Sequence, residues 1–180
     1  MNCAMTVLYE PKENEIKNMR SYCDCVDWLF VLDNSKQDNM NTVSEALSDS
    51  TSHITYKHFE ENIGLCRALN YGMEKAKELG CKWSLIMDAD SSFITDIIGV
   101  YMDYLKRNTA NEESIAVLAP VHIFDRSKNH GYEGSREIKW AMTSGCFYNV
   151  DIFGQLGGFK EELFVDGLDM DYCYKATGGV

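Results

Sequence analysis

Basic residues are scarce in this 180-residue chain, which has 17 lysines and arginines against 28 aspartates and glutamates, for a formal net charge of −11. Proteins that hold nucleic-acid backbones do so with patches of Lys and Arg. The sequence contains no such patch, so we expect no nucleic-acid partner. An acidic protein that binds a phosphorylated ligand needs a metal ion to bridge the two sets of negative charge.

Three other patterns are missing. The seven cysteines include no Cys-x-x-Cys pair, so neither a disulfide framework nor a zinc site is indicated, and a reduced, cytoplasmic setting is favoured. No segment reaches 18 consecutive apolar residues, and the acidic stretch 10–15 argues against a signal peptide, so any membrane association is expected to be peripheral, at the inner face of the cell membrane. Tyr9 to Glu13, the first turn after a predicted strand, contains no glycine, which excludes the usual dinucleotide-binding enzymes. No Walker A pattern occurs, which excludes the usual P-loop enzymes.

Predicted strands and helices alternate over the first half of the chain. The strands are expected at Met5–Tyr9, Trp28–Leu32, Ile54–Tyr56 and Trp83–Met87. The helices are expected at Glu13–Tyr22, Asn41–Leu47 and Leu65–Leu79, the last with apolar residues at helical spacing and Gly80 at its stop position. This order predicts an α/β fold with a mixed, mainly parallel sheet flanked by helices on both faces.

The second half of the chain is less regular. We predict a helix at Asp96–Leu105, strands at Ile115–Pro120, Ile138–Ala141 and Cys146–Val150, a polar loop from Asp125 to Arg136, a turn-rich link at Gly154–Phe159 and a helix through Lys175. One domain spanning residues 1–180 fits this length. The chain ends just after the last predicted helix with no tail, so we expect a domain truncated at its carboxyl end.

Two aspartates, Asp88 and Asp90, directly follow the apolar run that begins at Trp83. If the strand continues through Ala89, both side chains point to the same side and can reach one point. Two carboxylates about 4 Å apart repel by roughly 4 kcal/mol at an effective dielectric near 20, and a hard divalent cation between them relieves this. The alternative is that Asp90 caps the following helix. A calcium loop fits less well, because Phe93 stands where an EF-hand needs glycine.

Several motifs, taken together, resemble the family 2 glycosyltransferases of the GT-A (Rossmann-like) fold, most closely the rhamnosyltransferase-like bacterial members. The resemblance covers nearly the whole chain. The motifs are Asp33-Asn34-Ser35, Asn62-Ile63-Gly64 with Asn70 and Gly72, Asp88-Ala89-Asp90, Thr143-Ser144-Gly145, Gly157-Gly158-Phe159 and the segment from Phe164 to Asp169.

The resemblance implies an enzyme that transfers a sugar, with inversion, from a nucleotide diphosphate donor to a hydroxyl acceptor. Residues 1–100 form the nucleotide-binding half and residues 101–180 the acceptor side. Asp88 and Asp90 would hold Mn²⁺ or Mg²⁺ on the diphosphate. The implied nucleotide-binding residues are Asp33, Asn34, Asn62, Gly64, Arg67 and Asp88. Tyr9 is a candidate for stacking on base or sugar, as is Trp140, although aromatic residues beside strands are more often part of the core.

The catalytic base implied by the resemblance is Asp169, with Asp166 as the second candidate. An inverting displacement needs such a carboxylate to take the proton of the acceptor hydroxyl. The alternative for Asp169 is an ordinary helix N-cap. The implied acceptor is a saccharide or lipid-linked saccharide of bacterial surface polysaccharide synthesis, docked near 125–136 and 143–145.

Two other functions remain open at this stage. The first is a non-catalytic or truncated nucleotide-sugar binding domain. The second, a sugar-phosphate nucleotidyltransferase, is less favoured because such enzymes carry a glycine-rich basic loop after the first strand.

Overall fold

The computed structural model describes residues 1–123 and 134–178. The strands found there are β1 (Asn2–Leu8), β2 (Trp28–Asp33), β3 (His53–His58), β4 (Trp83–Ile86), β5 (Val117–Leu118) and β6 (Cys146–Asn149). The α-helices are α1 (Glu13–Asn18), α2 (Met40–Ala46), α3 (Leu65–Glu78), α4 (Ile97–Arg107), α5 (Val150–Gln155) and α6 (Leu168–Ala176). Short 3₁₀ turns lie at Met19–Ser21, Cys23–Cys25, Thr109–Ser114 and Glu161–Leu163.

The strands form one sheet in the order β3-β2-β1-β4-β6-β5. The first four strands are parallel, whereas β6 runs antiparallel to both β4 and β5. The chain therefore builds outward from β1 to β3 and then returns to place β4 on the other side of β1. This reversal is the topological switch point at which open α/β sheets bind their ligands.

Helices cover both faces of the sheet, as the apolar strands predict. In β1, Cys3 and Met5 point into one apolar core together with residues of α3, α5 and α6. Ala4 and Leu8 point into a second core, which packs under α1, α2 and α4. The alternation of side chains along a strand explains why a run such as this one is apolar throughout. The predicted fold class is confirmed.

The helix α3 forms as its sequence pattern predicts. Ala68, Leu69, Met73 and Ala76 are buried against the sheet. Gly80 follows the helix with φ +74°, the left-handed conformation expected at a C′ glycine. None of the helices within the described ranges is both long enough and apolar enough to cross a bilayer.

Four expected elements differ in the structure. The helix predicted over 13–22 ends at Asn18, and 3₁₀ turns then bury Met19 and Tyr22 against the sheet. The strand predicted at 115–120 is reduced to the two residues that pair with β6. No strand forms at 138–141, because this segment pairs with no strand of the sheet. The link predicted at 154–159 overlaps the end of helix α5. This helix starts at Val150, because the Asn149 side chain caps it by accepting hydrogen bonds from the N–H groups of residues 151 and 152.

Candidate active site

The carboxyl ends of β1, β2 and β4 lie side by side at one edge of the sheet. The segment leading into β6 reaches the same edge, because β6 is antiparallel and Cys146 pairs with Ile86 at the end of β4. A backbone bond of 2.8 Å from Gly145 N–H to the Ile86 carbonyl joins the two segments. The topology thus brings the motifs that follow β2 and β4 close to the motif at 143–145.

The acidic pair lies in a turn. Strand β4 ends at Ile86, and Ser91 N–H donates to the Asp88 carbonyl at 3.0 Å, so the condition that the strand continues through Ala89 is not met. Asp88 N–H donates to Ser144 Oγ at 3.1 Å, and the Ala89 carbonyl accepts from Asn18 Nδ2 at 2.9 Å. These bonds fix the backbone of the turn from both sides.

The alternative role of Asp90 as a helix cap is also wrong. The residue that caps α4 is Asp96, whose Oδ1 accepts from Gly99 N–H at 2.8 Å. Asp90 is exposed, and its Oδ1 accepts a 3.3 Å hydrogen bond from the Ser91 hydroxyl. Its carboxylate therefore faces solvent beside Asp88 and is available to a ligand.

Negative charge accumulates around Asp88. Its carboxylate reaches solvent, yet enough protein surrounds it that desolvation raises its pKa above the ordinary value, and the charges of Asp90 and Asp169 raise the pKa further. His122 and the hydroxyl of Ser144 act in the opposite direction. The structure therefore brings Asp88, Asp90 and Asp169 within electrostatic reach of one another, although Asp169 is 79 residues further along the chain than Asp90.

Asp169 stands in the first turn of α6. The N-cap is Gly167, so the interpretation of Asp169 as an ordinary N-cap is wrong; its Oδ1 accepts instead from Met170 N–H at 2.8 Å. The side chain is half-buried, and its charge adds to the effect of burial in raising the pKa of the Cys146 and Cys173 thiols. Asp166, the second candidate base, is exposed on the turn before the helix.

Asp33 is fully buried at the end of β2, with 0% of its surface exposed. Oδ1 accepts from Ser35 N–H at 2.9 Å, while Oδ2 accepts from Tyr56 Oη at 2.5 Å and from Asn39 Nδ2 and N–H at 2.9 and 3.3 Å. Burial alone raises the pKa of this carboxyl, but these donors outweigh it and the pKa lies below its ordinary value. Asp33 is therefore an ionised anchor that orders the loop after β2.

Asn34 and Asn62 connect that loop to the start of α3. Asn34 Nδ2 donates to the Gly64 carbonyl at 3.3 Å, and Asn62 Oδ1 accepts from Gly64 N–H at 3.0 Å. Asn34 is buried, and its Oδ1 has no hydrogen-bond partner among the described residues. Three of the residues expected to bind nucleotide thus form one bonded unit at the switch point.

The other two expected nucleotide-binding residues are exposed. Tyr9, 56% exposed, follows β1 at this edge, and the next residue is bonded to the loop after β2 through a 2.8 Å bond from Glu10 N–H to Ser35 Oγ. Arg67 forms an ion pair with Glu161 at 3.1 Å. Trp140 is 61% exposed, so a core role is wrong for both Tyr9 and Trp140.

His122 also lies at this site, although it belongs to none of the sequence motifs. Its Nε2 lies 2.7 Å from the Ser144 carbonyl oxygen, and its charge lowers the pKa of Asp88. As an isolated histidine it fits no motif, but it follows β5 closely, and the end of β5 lies at the acidic edge. Most of the predicted acceptor loop 125–136, with His130, lies outside the described residues.

The oxygen ligands here suit a hard divalent cation. Within residues 1–123 and 134–178, no group of three or more His, Cys, Asp or Glu side chains is placed to hold a metal ion by itself. Asp90 nevertheless lies close enough to Asp88 that, after desolvation, its negative charge helps to raise the pKa of the Asp88 carboxyl. Mg²⁺ commonly takes one or two carboxylates and completes its shell with substrate phosphates. This ligand set therefore fits a metal that arrives with a diphosphate.

A mainly parallel sheet, an acidic cluster at its switch point and an antiparallel strand that returns to the same edge define an α/β domain of the GT-A type. The chain belongs to the family described as Glycosyl transferase family 2, whose sequence profile matches residues 16–129. Among curated proteins, the dTDP-rhamnosyl transferase RfbF of Shigella flexneri is 26% identical over 200 residues, covering 96% of this chain and 62% of its own length.

Solved structures show the same fold. S. aureus TarS 1–349 superposes with a TM-score of 0.73 at 15% identity, over 97% of this chain and 54% of that one. The mannosyltransferase PcManGT of Pyrobaculum calidifontis, solved with GDP-Man and Mn²⁺, gives a TM-score of 0.67 at 16% identity, over 96% of this chain and 50% of its own. The chain therefore spans half to three fifths of the length of these relatives.

Proposed function

We propose that this domain transfers a sugar, with inversion, from a nucleoside-diphosphate donor to a hydroxyl acceptor, assisted by Mn²⁺ or Mg²⁺. The observation that carries the proposal is the convergence of Asp88, Asp90 and Asp169 at the switch point of the sheet. Residues 1–100 supply the donor site and residues 101–180 the acceptor side.

The donor nucleotide lies along the carboxyl ends of β1 and β2. Asp33 orders the loop after β2, Asn34 joins that loop to the start of α3 through the Gly64 carbonyl, and Tyr9 stacks on the base or sugar. Asn62, Gly64 and Arg67 line the pocket at the start of α3. In this arrangement, the hydrogen-bonded unit of Asn34, Asn62 and Gly64 forms one side of the donor site before the donor binds.

Asp88 and Asp90 are the residues that would hold the cation, and the donor diphosphate would supply its further oxygen ligands. Once bound there, the metal supplies Lewis-acid stabilisation of the charge that develops on the leaving diphosphate. Without a cation, the negative charges of Asp88, Asp90 and Asp169 would repel the diphosphate.

Asp169 takes the proton of the attacking acceptor hydroxyl. The acceptor oxygen forms a bond to the anomeric carbon as the bond from that carbon to the diphosphate oxygen breaks, and the proton moves to the Asp169 carboxylate. Its half-buried position in α6, on the same side as Asp88, suits this role better than the exposed position of Asp166.

The first donor to test is dTDP-rhamnose, because the curated relative is a dTDP-rhamnosyl transferase. UDP- and GDP-sugars come next, since TarS was solved with UDP and PcManGT with GDP-Man. We propose a saccharide or lipid-linked saccharide of bacterial surface polysaccharide as acceptor. The protein would then work in the cytoplasm, at the inner face of the membrane.

The decisive experiment is a thermal-shift titration with these nucleoside diphosphates and their sugars, with and without Mn²⁺. A ligand that binds only the folded state stabilises it by about 2.7 kcal/mol at a hundredfold excess over Kd. We expect one nucleotide to give a Mn²⁺-dependent shift that Asp90→Ala abolishes. The matched control is Asp103→Ala, an exposed carboxylate of α4 that pairs with Lys106.

Transfer is then followed as release of the nucleoside diphosphate in the presence of saccharide acceptors. Binding of a donor without release would favour the alternative of a non-catalytic binding domain. Equal shifts with and without Mn²⁺, or retention of the shift in Asp90→Ala, would contradict the metal site. Release of pyrophosphate from a nucleoside triphosphate and a sugar phosphate would instead indicate a nucleotidyltransferase.

A further inference from the structure

The segment 158–164 connects the nucleotide-side helix to the helix that carries the candidate base. Asn70, on α3, binds Phe159 with both ends of its side-chain amide: Nδ2 donates to the Phe159 carbonyl at 2.8 Å, and Oδ1 accepts from Phe159 N–H at 2.9 Å. Gly158 has φ +68°, and a Cβ at this residue would lie 2.9 Å from Asn70 Oδ1. The side-chain amide of Asn70 therefore satisfies both backbone hydrogen-bonding groups of Phe159, and only glycine fits at position 158 beside this amide.

The same segment also closes the start of α3. The Phe164 carbonyl accepts from the N–H groups of Leu65 and Cys66 at 2.8 and 3.3 Å. These are N–H groups that a helix cannot satisfy within its own first turn. The Phe164 ring lies over Gly64, where a Cβ would meet it at 2.7 Å. The segment is thus joined to α3 near both of its ends, through Phe164 and Phe159, and between them by the ion pair of Glu161 with Arg67.

Helix α6 binds the other side of the segment. Lys175 Nζ donates to the Gly158 carbonyl at 2.8 Å and pairs with Asp171 at 2.9 Å. The Phe159 ring is buried and packs edge-on against Phe153 and tilted against Tyr172, with centroids 5.0 and 5.5 Å apart. Residues 158 and 159 therefore contact both α3 and α6 and help to set the position of α6 relative to α3.

We propose that Asn70 is a positioning residue for the transfer reaction: its two-bond clamp on Phe159 sets α6, and hence Asp169, relative to the donor site. This inference rests on the proposed function. Asn70 touches neither donor nor acceptor in this account and acts only through the 158–164 segment. A shift of the base by about 1 Å costs roughly 10²-fold in rate, so losing the clamp reduces turnover more than donor binding.

The first test compares Asn70→Ala with wild type and with Glu74→Ala, an exposed residue one turn later on the same helix. We expect Asn70→Ala to lower kcat by about 10²-fold while the Kd for the nucleoside diphosphate changes less than about threefold. Glu74→Ala should match wild type in both. A parallel loss of kcat and donor affinity, or a kcat within about threefold of wild type, would overturn the proposal.

The conservative variant Asn70→Asp tests the positioning role through the pH dependence of kcat, which a purely structural role would leave unchanged. Its carboxylate can accept from Phe159 N–H but cannot donate to the Phe159 carbonyl until it is protonated. The kcat of Asn70→Asp, taken as a ratio to wild type at each pH, should therefore recover as the pH falls. A ratio that stays constant with pH would contradict the clamp.

Hydrogen exchange of the ligand-free protein separates this inference from the proposed function. If the clamp positions α6, Asn70→Ala accelerates amide exchange at Phe159 and through the first turn of α6, while Glu74→Ala does not. This exchange pattern can be measured whether or not the protein transfers a sugar. If wild type shows no transfer with any donor, the proposed function fails, but the exchange pattern still supports the clamp. Acceleration confined to α3, with α6 unchanged, would refute the coupling.

Discussion

Replacing Asp33 by Asn removes a buried charge while keeping the shape of the side chain. Oδ2 of Asp33 accepts from Tyr56 Oη and from two N–H groups of Asn39, and the Asn variant would present a donor to these donors. Hydrogen bonds to a charged group contribute about 1.5–3 kcal/mol each. Losing two of them at the lower value predicts a decrease of about 3 kcal/mol in the free energy of unfolding at pH 7.

This loss should depend on pH. The pKa of Asp33 is lower in the folded protein than its ordinary value, so its ionised form stabilises the fold. That contribution is fully present above the unfolded pKa of about 3.9 and is lost as the pH falls through the folded pKa. The difference between wild type and Asp33→Asn is therefore largest near neutrality and decreases below about pH 4.

Urea unfolding at a series of pH values between neutral and acidic measures this difference directly. Asp49→Asn, an exposed carboxylate, serves as the control and should stay within about 0.5 kcal/mol of wild type throughout. A loss in Asp33→Asn that is the same at neutral and acidic pH would show that the hydrogen-bonded charge is not its cause. A loss below about 0.5 kcal/mol at pH 7 would refute the anchoring role altogether.

Three further results are expected. Asp90→Asn should keep the wild-type melting temperature without ligand but lose the Mn²⁺-dependent shift produced by the nucleoside diphosphate. Asp169→Asn should retain that shift while lowering kcat by about 10²- to 10⁴-fold, the usual contribution of a general base. Gly64→Ala should destabilise by more than the roughly 1–3 kcal/mol of positive-φ strain, because Gly64 has φ +89° and ψ 155°, a conformation essentially restricted to glycine, and because the Phe164 ring occupies the Cβ position, whereas Gly80→Ala, with nothing within 4 Å, should show only the positive-φ strain.

Each of these has a contrary outcome. A metal-dependent shift in Asp90→Asn would remove that residue from the metal site. A normal kcat in Asp169→Asn would move the base to Asp166. Equal losses of unfolding free energy in Gly64→Ala and Gly80→Ala would show that the Phe164 ring moves aside at no cost, whereas relief of the excess by Phe164→Ala would confirm the contact.

The sheet and α3 could be predicted from the sequence because local patterns determine them. Apolar runs such as Trp28–Leu32 identify strands buried on both faces, and the spacing of Ala68, Leu69 and Met73 fits only a helix. Strand β5 could not be predicted in its true length, because its two residues are defined by pairing with β6 rather than by their own pattern. Edge pairing is a tertiary property, and the 138–141 strand failed for the same reason.

The candidate site shows a similar division. Asp88 and Asp90 are evident from their position after a strand, yet the turn that holds them depends on Ser144 and on Asn18, both remote in sequence. The burial of Asp33 and the approach of His122 to the Ser144 carbonyl depend likewise on contacts between distant segments. The motifs therefore identify the residues, whereas the contacts that hold them depend on the tertiary fold.

The antiparallel direction of β6 has a consequence for how such a domain can change its acceptor. The chain leaves β5 at Leu118 and enters β6 at Cys146, and the register places both residues at the edge where Asp88 lies. The chain therefore leaves and re-enters the sheet at the same rim. Insertions or exchanges between these two strands would leave the pairing of β1 with β4 in place. Under the proposed function, the acceptor side can then vary in evolution while the donor side is kept.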